Sequence, residues 1–255
     1  MEKFGIYASS LDLNQIENIE LPSPAPDGRI PTMNQRGFMT VNNDEISQLW
    51  VDYSKQCKTP VFDGGAAYGV ATIAALKQGA TVISNDSCEK HLLYIVKSPQ
   101  LNEDDRKRLY LYPGSLPNID LPESSIGAIH LCRMMHFFHP DECEKMFENA
   151  KKWLVPNGLF FLVIMSPWHY TAPKDFYKQY EKKIQEGELF PGQITDFTIN
   201  SGQKFQGACT TYLHSMDPQV VMRLATKYGF IIKRLQIYGG KNDCDYTGAI
   251  MINNK

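Results

Sequence analysis

The stretch VFDGGAAYGVATIAALKQGATVISND (61–86) decides how this chain folds. Val61 and Phe62 belong to an apolar strand, and Asp63, Gly65, Ala67 and Gly69 space the turn after it as D-x-G-x-A-x-G. An alanine-rich helical run follows, Gly79-Ala80 turns the chain again, and Thr81–Ser84 lead into Asp86. Strand, glycine turn, helix and second strand make a βαβ unit, whose binding crevice lies at the carboxyl ends of its strands. There glycines let backbone approach a ligand closely, and an acid can accept hydrogen bonds from both vicinal hydroxyls of a ribose. Asp86 stands a little under the roughly 20 residues beyond the glycine turn at which such an acid is expected. An N-cap role for Asp86, ahead of the next helix, is compatible with ribose binding.

Outward from this unit the rhythm of the chain continues. NDEISQLWVDYSKQC (43–57) fits a helix starting at Asn43 or Asp44, with Ile46, Leu49, Trp50 and Tyr53 on its apolar face. Downstream, the pattern predicts a helix from about Glu89 to Lys97, a charged loop NEDDRKR (102–108) and a strand RLYLYPG. IGAIHLC (126–132) reads as the fourth strand. Pro140 opens a helix, Pro156-Asn157-Gly158 breaks it, and GLFFLVIM (158–165) is the fifth strand. A helix at 218–228 and the strands GFIIKRLQIY and GAIMIN close the chain. Alternating βα units with nearly unbroken apolar strands predict a mostly parallel sheet covered on both faces.

Two regions stand outside this rhythm. Residues 1–42 are a polar lead-in, with prolines at 22, 24 and 26, and read as a cap over the ligand crevice. Residues 166–217 interrupt the core (43–165 and 218–255) with Trp168, His169, Tyr170 and the charged amphipathic run KDFYKQYEKKIQEGE. So long an interruption in a compact domain is usually functional or disordered. Its aromatic content predicts an ordered lid that walls the acceptor pocket; the rival readings are a surface excursion or a dimer contact.

Composition narrows the class. At 255 residues the chain is a single domain, large enough for a full core without disulfides or metal. Lys and Arg number 26 against 28 Asp and Glu, a net charge of −2 without a basic cluster, which argues against a nucleic-acid partner. Cys57, Cys88, Cys132, Cys143, Cys209 and Cys244 are scattered, with no C-x-x-C pair, as in a reduced, cytoplasmic protein. His136, His139 and Cys143 lack a further ligand pattern, so no metal is expected. No leader is evident at the start of the chain, and no apolar run nears the roughly 18 residues of a membrane span.

On Asp63, the glycine turn and Asp86, the segment resembles motif I and the acidic position after it in class I S-adenosylmethionine (SAM) dependent methyltransferases. The resemblance covers about 43–165 and 216–255. Dinucleotide enzymes usually begin G-x-G-x-x-G without an acid before the turn. SAM has no pyrophosphate but carries a cationic ammonium and sulfonium, so an acid suits it, either directly or by holding the loop. The resemblance implies an α/β, Rossmann-like doubly wound sheet of seven mostly parallel strands. It also implies a C-terminal antiparallel hairpin and an insertion after strand 5. The cofactor it implies is SAM, leaving as S-adenosylhomocysteine (SAH). By the same resemblance Asp63, Gly64, Gly65, Ala66, Gly69, Asp86, Ser115, Leu116, Cys132 and Arg133 would contact the cofactor. Arg36 would grip its carboxylate. Ala67 departs from the family, where a third glycine is common, and Ser115 replaces a frequent acid, leaving adenine to backbone groups.

The activity implied is in-line methyl transfer to an O, N or C nucleophile of a small molecule, by a monomer or homodimer. His136, His169 and Tyr170 are the candidate catalytic residues. CRMMHFF at the end of the fourth strand is not the N/D-P-P-Y/F box of amino-methylating nucleic-acid enzymes. A double-glutamate loop for guanidinium acceptors is also missing. The alternatives are a non-catalytic SAM-binding or scaffold protein and a nicotinamide-dependent oxidoreductase. Against the latter, Tyr177, Tyr180 and Tyr228 are followed four residues on by Glu181, Ile184 and Ile232, not by a short-chain reductase's lysine.

Overall fold

A computed structural model describes residues 3–26, 28–173, 175–195 and 212–255. Cys209 and the 196–211 part of the predicted insertion lie outside the described residues. The sheet is built from β1 (Ile6–Tyr7), β4 (Val61–Gly64), β5 (Val82–Asp86), β6 (Leu109–Pro113), β7 (Ile126–Cys132), β8 (Leu154–Met165), β11 (Phe230–Tyr238) and β12 (Tyr246–Asn253). Their spatial order is β1-β6-β5-β4-β7-β8-β12-β11. β6, β5, β4, β7 and β8 run parallel, and β12 and β11 return antiparallel as the C-terminal hairpin. The expected seven-stranded architecture is present, with one addition: β1 pairs antiparallel on the edge of β6.

Strand alternation feeds two cores. Phe62, Ile83, Ile129, Leu131, Phe160 and Leu162 point to one face and pack with α5 (Pro140–Trp153) and α7 (Pro218–Lys227). Val61, Val82, Ala128, Phe161 and Val163 point to the other, under α1 (Glu45–Ser54), α2 (Val70–Lys77) and α3 (Glu89–Lys97). Asp44 caps α1 by accepting a 2.9 Å hydrogen bond from the Ser47 N–H. The described part of the insertion carries α6 (Phe176–Gln185), β9 (Gln193–Thr195) and β10 (Tyr212–His214), with a small core around Met165, Phe176, Tyr180, Ile194 and Leu213.

Two sequence expectations need correction. The charged run 102–108 is not a loop but holds a short helix, α4 (Glu103–Arg106), set by a capping box between Asn102 and Asp105. The fifth strand begins at Leu154, directly after α5, because Asn157 turns at φ +62° and lets residues 155–158 bulge between the Leu154 and Leu159 pairings with β7. The lead-in is also more ordered than its composition suggests: β2 (Ile30–Pro31) and β3 (Phe38–Met39) form a hairpin.

The glycine turn holds a strained alanine at position 67. Gly65 and Gly69 take φ +69° and +77°, and Ala67 between them takes φ +46°. A side chain in this left-handed region costs about 1–2 kcal/mol. Ala67→Gly removes that strain and returns about 0.4–1 kcal/mol through the freer unfolded chain. A net stabilisation of up to about 1 kcal/mol is expected by urea denaturation. A clear loss of stability in the variant would contradict the strained turn.

Candidate active site

The carboxyl ends of β6, β5, β4, β7 and β8 lie side by side, and a cavity of about 300 Å³ runs along them. In that order the edge presents Ser115, Asp86, Gly65, Arg133 and Met165, all of which line the cavity. The N-terminal hairpin supplies further wall through Arg36, Phe38, Met39 and Thr40, and the insertion supplies His169, Thr171 and Leu213.

Asp63 sits beneath this edge with both carboxylate oxygens engaged. Oδ2 accepts from Thr72 Oγ1 at 2.6 Å, and Oδ1 lies 2.8 Å from His130 Nδ1. His130 Nε2 reaches Ser47 Oγ at 2.9 Å, and Trp50 stacks on the imidazole at 4.9 Å. Burial opposes a charge on this ring, but the hydrogen bond to Asp63 and the neighbouring negative charge outweigh it, and the pKa is pushed up to about 10. That shift favours a protonated ring beside the Asp63 carboxylate. Of the two roles open to Asp63, the geometry matches holding the loop.

Asp86 organises the turn in front of it. Its Oδ2 accepts the Ala67 N–H at 2.9 Å and its Oδ1 the Cys88 N–H at 2.8 Å, with His91 Nδ1 3.0 Å from Oδ1. His91 Nε2 in turn accepts the Met33 N–H at 3.0 Å, which ties the lead-in to this corner. Each carboxylate oxygen offers two lone pairs, so Oδ2 retains one for a ligand hydroxyl. Gly64, Gly65, Ala66, Ser115 and Leu116 also line the cavity. A Cβ at Gly65 would fall 3.1 Å from the Met134 Cβ. Gly69 does not line it: it starts α2, and a Cβ there would meet Ile95 at 2.6 Å.

Arg133, at φ +55°, spends its guanidinium on the chain itself. It donates to Thr40 Oγ1 and to Asp44 Oδ2, each at 2.9 Å, and lies over the Tyr246 ring at 4.6 Å. Cys132 Sγ also faces Asp44 Oδ2 at 3.4 Å. Arg36 lines the cavity from the exposed hairpin loop.

The three candidate catalytic residues separate. His136 lines the cavity with a buried Nδ1 that has no hydrogen-bond partner among the described residues. Burial, with the charges of His169 and Arg133, pushes its pKa down to about 3. His169 also lines the cavity; its Nδ1 accepts the Thr171 N–H at 3.2 Å and lies 2.7 Å from Thr171 Oγ1. Burial lowers its pKa to about 4 against the pull of Asp245. Tyr170 is not part of the lining: its N–H donates to Asp245 Oδ1 at 2.9 Å and its ring lies under Lys241. Sequence reasoning missed His130, His91, Asp44 and Tyr246. A histidine inside the apolar strand IGAIHLC was the available signal for His130, since a buried imidazole needs a partner.

These histidines set opposing pH limbs. His136, His169 and His214, whose burial also lowers its pKa to about 4, stay neutral in the fold while the unfolded chain takes up protons below pH 6.5. Stability from them is lost as pH falls from 6.5 through about 4. His130 works in reverse, contributing fully below pH 6.5 and losing its contribution as pH rises to about 10. Urea denaturation across pH should thus show the His130→Gln variant with a flatter alkaline limb than the parent. Equal alkaline slopes would remove the charge from His130.

No protein-family model and no curated protein matches the chain. Solved structures do. A SAM-dependent methyltransferase from Methanosarcina mazei matches with a TM-score of 0.60 at 16% identity, covering 83% of this chain and 97% of its own. One from Mesorhizobium loti matches with a TM-score of 0.57 at 15% identity, over 81% of this chain and 97% of its own. The 1,6-didemethyltoxoflavin-N1-methyltransferase of Burkholderia thailandensis, with bound 1,6-didemethyltoxoflavin and SAH, matches with a TM-score of 0.55 at 13% identity. That match covers 84% of this chain and 80% of its own. At such identities the likeness is one of fold, and the chain has the class I fold of the SAM-dependent methyltransferases.

Proposed function

We propose that this chain is an enzyme that transfers a methyl group from SAM to a small-molecule acceptor. The supporting observation is one continuous cavity with the glycine turn and Asp86 toward one end and an aromatic, histidine-bearing wall toward the other. The residues present fit SAM. Gly65 leaves the space a Cβ would fill, Asp86 keeps a lone pair for ribose, and Arg36 stands free to meet a carboxylate. Bound there, SAM supplies an electrophilic methyl group on a sulfonium.

The chain's own contribution is alignment and exclusion of water, which carry most of the acceleration in such a displacement. Gly64–Ala67 and Asp86 hold the cofactor side. Phe38, Met39, Phe137, Met165 and Leu213 form an apolar wall for the acceptor. The insertion thus enters the acceptor pocket through its first residues and Leu213, together with the N-terminal hairpin. No helix among the described residues is long and apolar enough to cross a membrane.

Calorimetry with SAH tests this reading. Asp86→Ala should weaken SAH binding by about 1.5–3 kcal/mol, the scale of hydrogen bonds to a charged group. Gly65→Val should remove binding altogether while the chain stays folded by circular dichroism, because a branched side chain at φ +69° crowds Met134. Normal SAH affinity in either variant would move the pocket elsewhere; no binding by the parent would end the reading.

A further inference from the structure

The acidic side chains of the cavity wall are engaged within the protein, and the lone pair left on Asp86 faces the cofactor end. Asp44 is held by Arg133, Asp63 by His130 and Thr72, and Asp86 by two backbone N–H groups beside His91. These three are the only carboxylates among the described lining residues. A cationic acceptor therefore finds no open countercharge there, and a sulfonium bound in the same cavity would repel it. Nor is a carboxylate on hand as base.

The acceptor end holds the Arg29 guanidinium, over the Phe38 ring at 4.7 Å, and two imidazoles. His136 makes no hydrogen bond to any described residue, its Nδ1 is buried, and its ring packs edge-on against Phe137 at 4.3 Å. The buried Nδ1 is sealed from a ligand; Nε2, neither buried nor bonded to a described residue, is the nitrogen a ligand can reach. His169 differs, because the Thr171 N–H donates to its Nδ1 and leaves the proton on Nε2. The wall thus pairs a fixed N–H donor with an uncommitted ring, both set among Phe38, Phe137, Met165 and Leu213.

Resting on the cofactor reading above, we propose that the acceptor is a non-cationic aromatic or heteroaromatic molecule whose nucleophile is a hydroxyl or a weakly basic ring N–H directed at His136. The acceptor's lone pair forms the bond to the methyl carbon as the S–C pair returns to sulfur. The acceptor's own proton then passes to Nε2 of His136, the ring nitrogen that is not buried, and on to water. The low basicity of this ring matches such nucleophiles, which become strongly acidic once methylated and give up the proton late. A methylated aliphatic amine would keep its proton and has no use for this imidazole.

Three aromatic probes, 1-naphthol, indazole and benzylamine, are titrated by calorimetry into the SAH-loaded protein. The better of naphthol and indazole should bind at least about tenfold tighter than the cationic probe, the scale of one buried hydrogen bond and an uncompensated charge. His136→Phe should erase that preference, and His136→Gln, which keeps an acceptor oxygen, should restore part of it, with SAH affinity within about twofold of the parent in both. Benzylamine binding as tightly as the neutral probes, no probe binding, or a preference that survives in His136→Phe would overturn the proposal and leave the cofactor reading standing. Failure to bind SAH at all would sink both.

Discussion

A buried ion pair lies under everything this site does. Asp63 closes the first strand of the parallel sheet, and its carboxylate is gripped from one side by Thr72 of α2 and from the other by His130 of β7. The same imidazole reaches α1 through Ser47. One charge pair therefore joins the strand before the glycine turn, the helix after it, the neighbouring strand and the helix that precedes the sheet. Breaking such a pair from one side is strongly destabilising, by about 3–5 kcal/mol, because the other charge stays buried. The turn that follows Asp63 can carry an alanine at positive φ because its two ends are fixed in this way, and because Asp86 holds the Ala67 N–H from the next strand.

The N-terminal hairpin is fastened to that frame by polar contacts rather than by a core. The Tyr68 hydroxyl donates to Pro31 O at 2.7 Å, the Met33 N–H to His91, and Arg133 to Thr40. Two of these anchors, His91 and Arg133, also line the cavity, so they hold the hairpin and wall the site at once. Arg133 takes part at a positive φ, which directs its guanidinium to Asp44 and Thr40 over the face of Tyr246. Backbone strain held at a ligand cavity by surrounding contacts is a common mark of a functional segment. It also explains why this arginine, expected at the cofactor, is occupied with the cap.

The parts of the fold legible in the sequence are those whose signal is local. IGAIHLC and the helix from Glu89 to Lys97 were bounded correctly because apolar periodicity and flanking polar residues agree there. The charged run at 102–108 hid a helix because its stability comes from the reciprocal Asn102–Asp105 cap and from Lys77 and Arg108 on the buried Asp105, none of which periodicity registers. At the site, glycine spacing placed Gly64, Gly65 and Ala66 on the cavity. It could not show that Gly69 serves packing against Ile95, because the same residue type answers both needs. His91 and Asp44 act through partners 58 and 89 residues away, a separation no local pattern spans.

The insertion joins the site through a rigid root. The Ser166 hydroxyl donates to Cys244 O, the Ser166 N–H to Asp245 O at 2.9 Å, and the Tyr170 N–H to the buried Asp245 carboxylate. The Lys241 N–H reaches the other oxygen of that carboxylate at 2.6 Å, so Asp245 clamps residues 166–170 against the loop of the C-terminal hairpin. At the far end, Met216 N–H donates to Met165 O and Thr247 Oγ1 to Met216 O, closing the excursion back onto β8 and β12. His169 lies inside this clamp, which fixes its ring before any ligand arrives. A donor held by the scaffold loses little freedom on binding, and that is the condition under which a single hydrogen bond discriminates between acceptors. Tyr170, one residue on, spends its backbone on the clamp and its ring on Lys241, and so contributes by holding His169 in place.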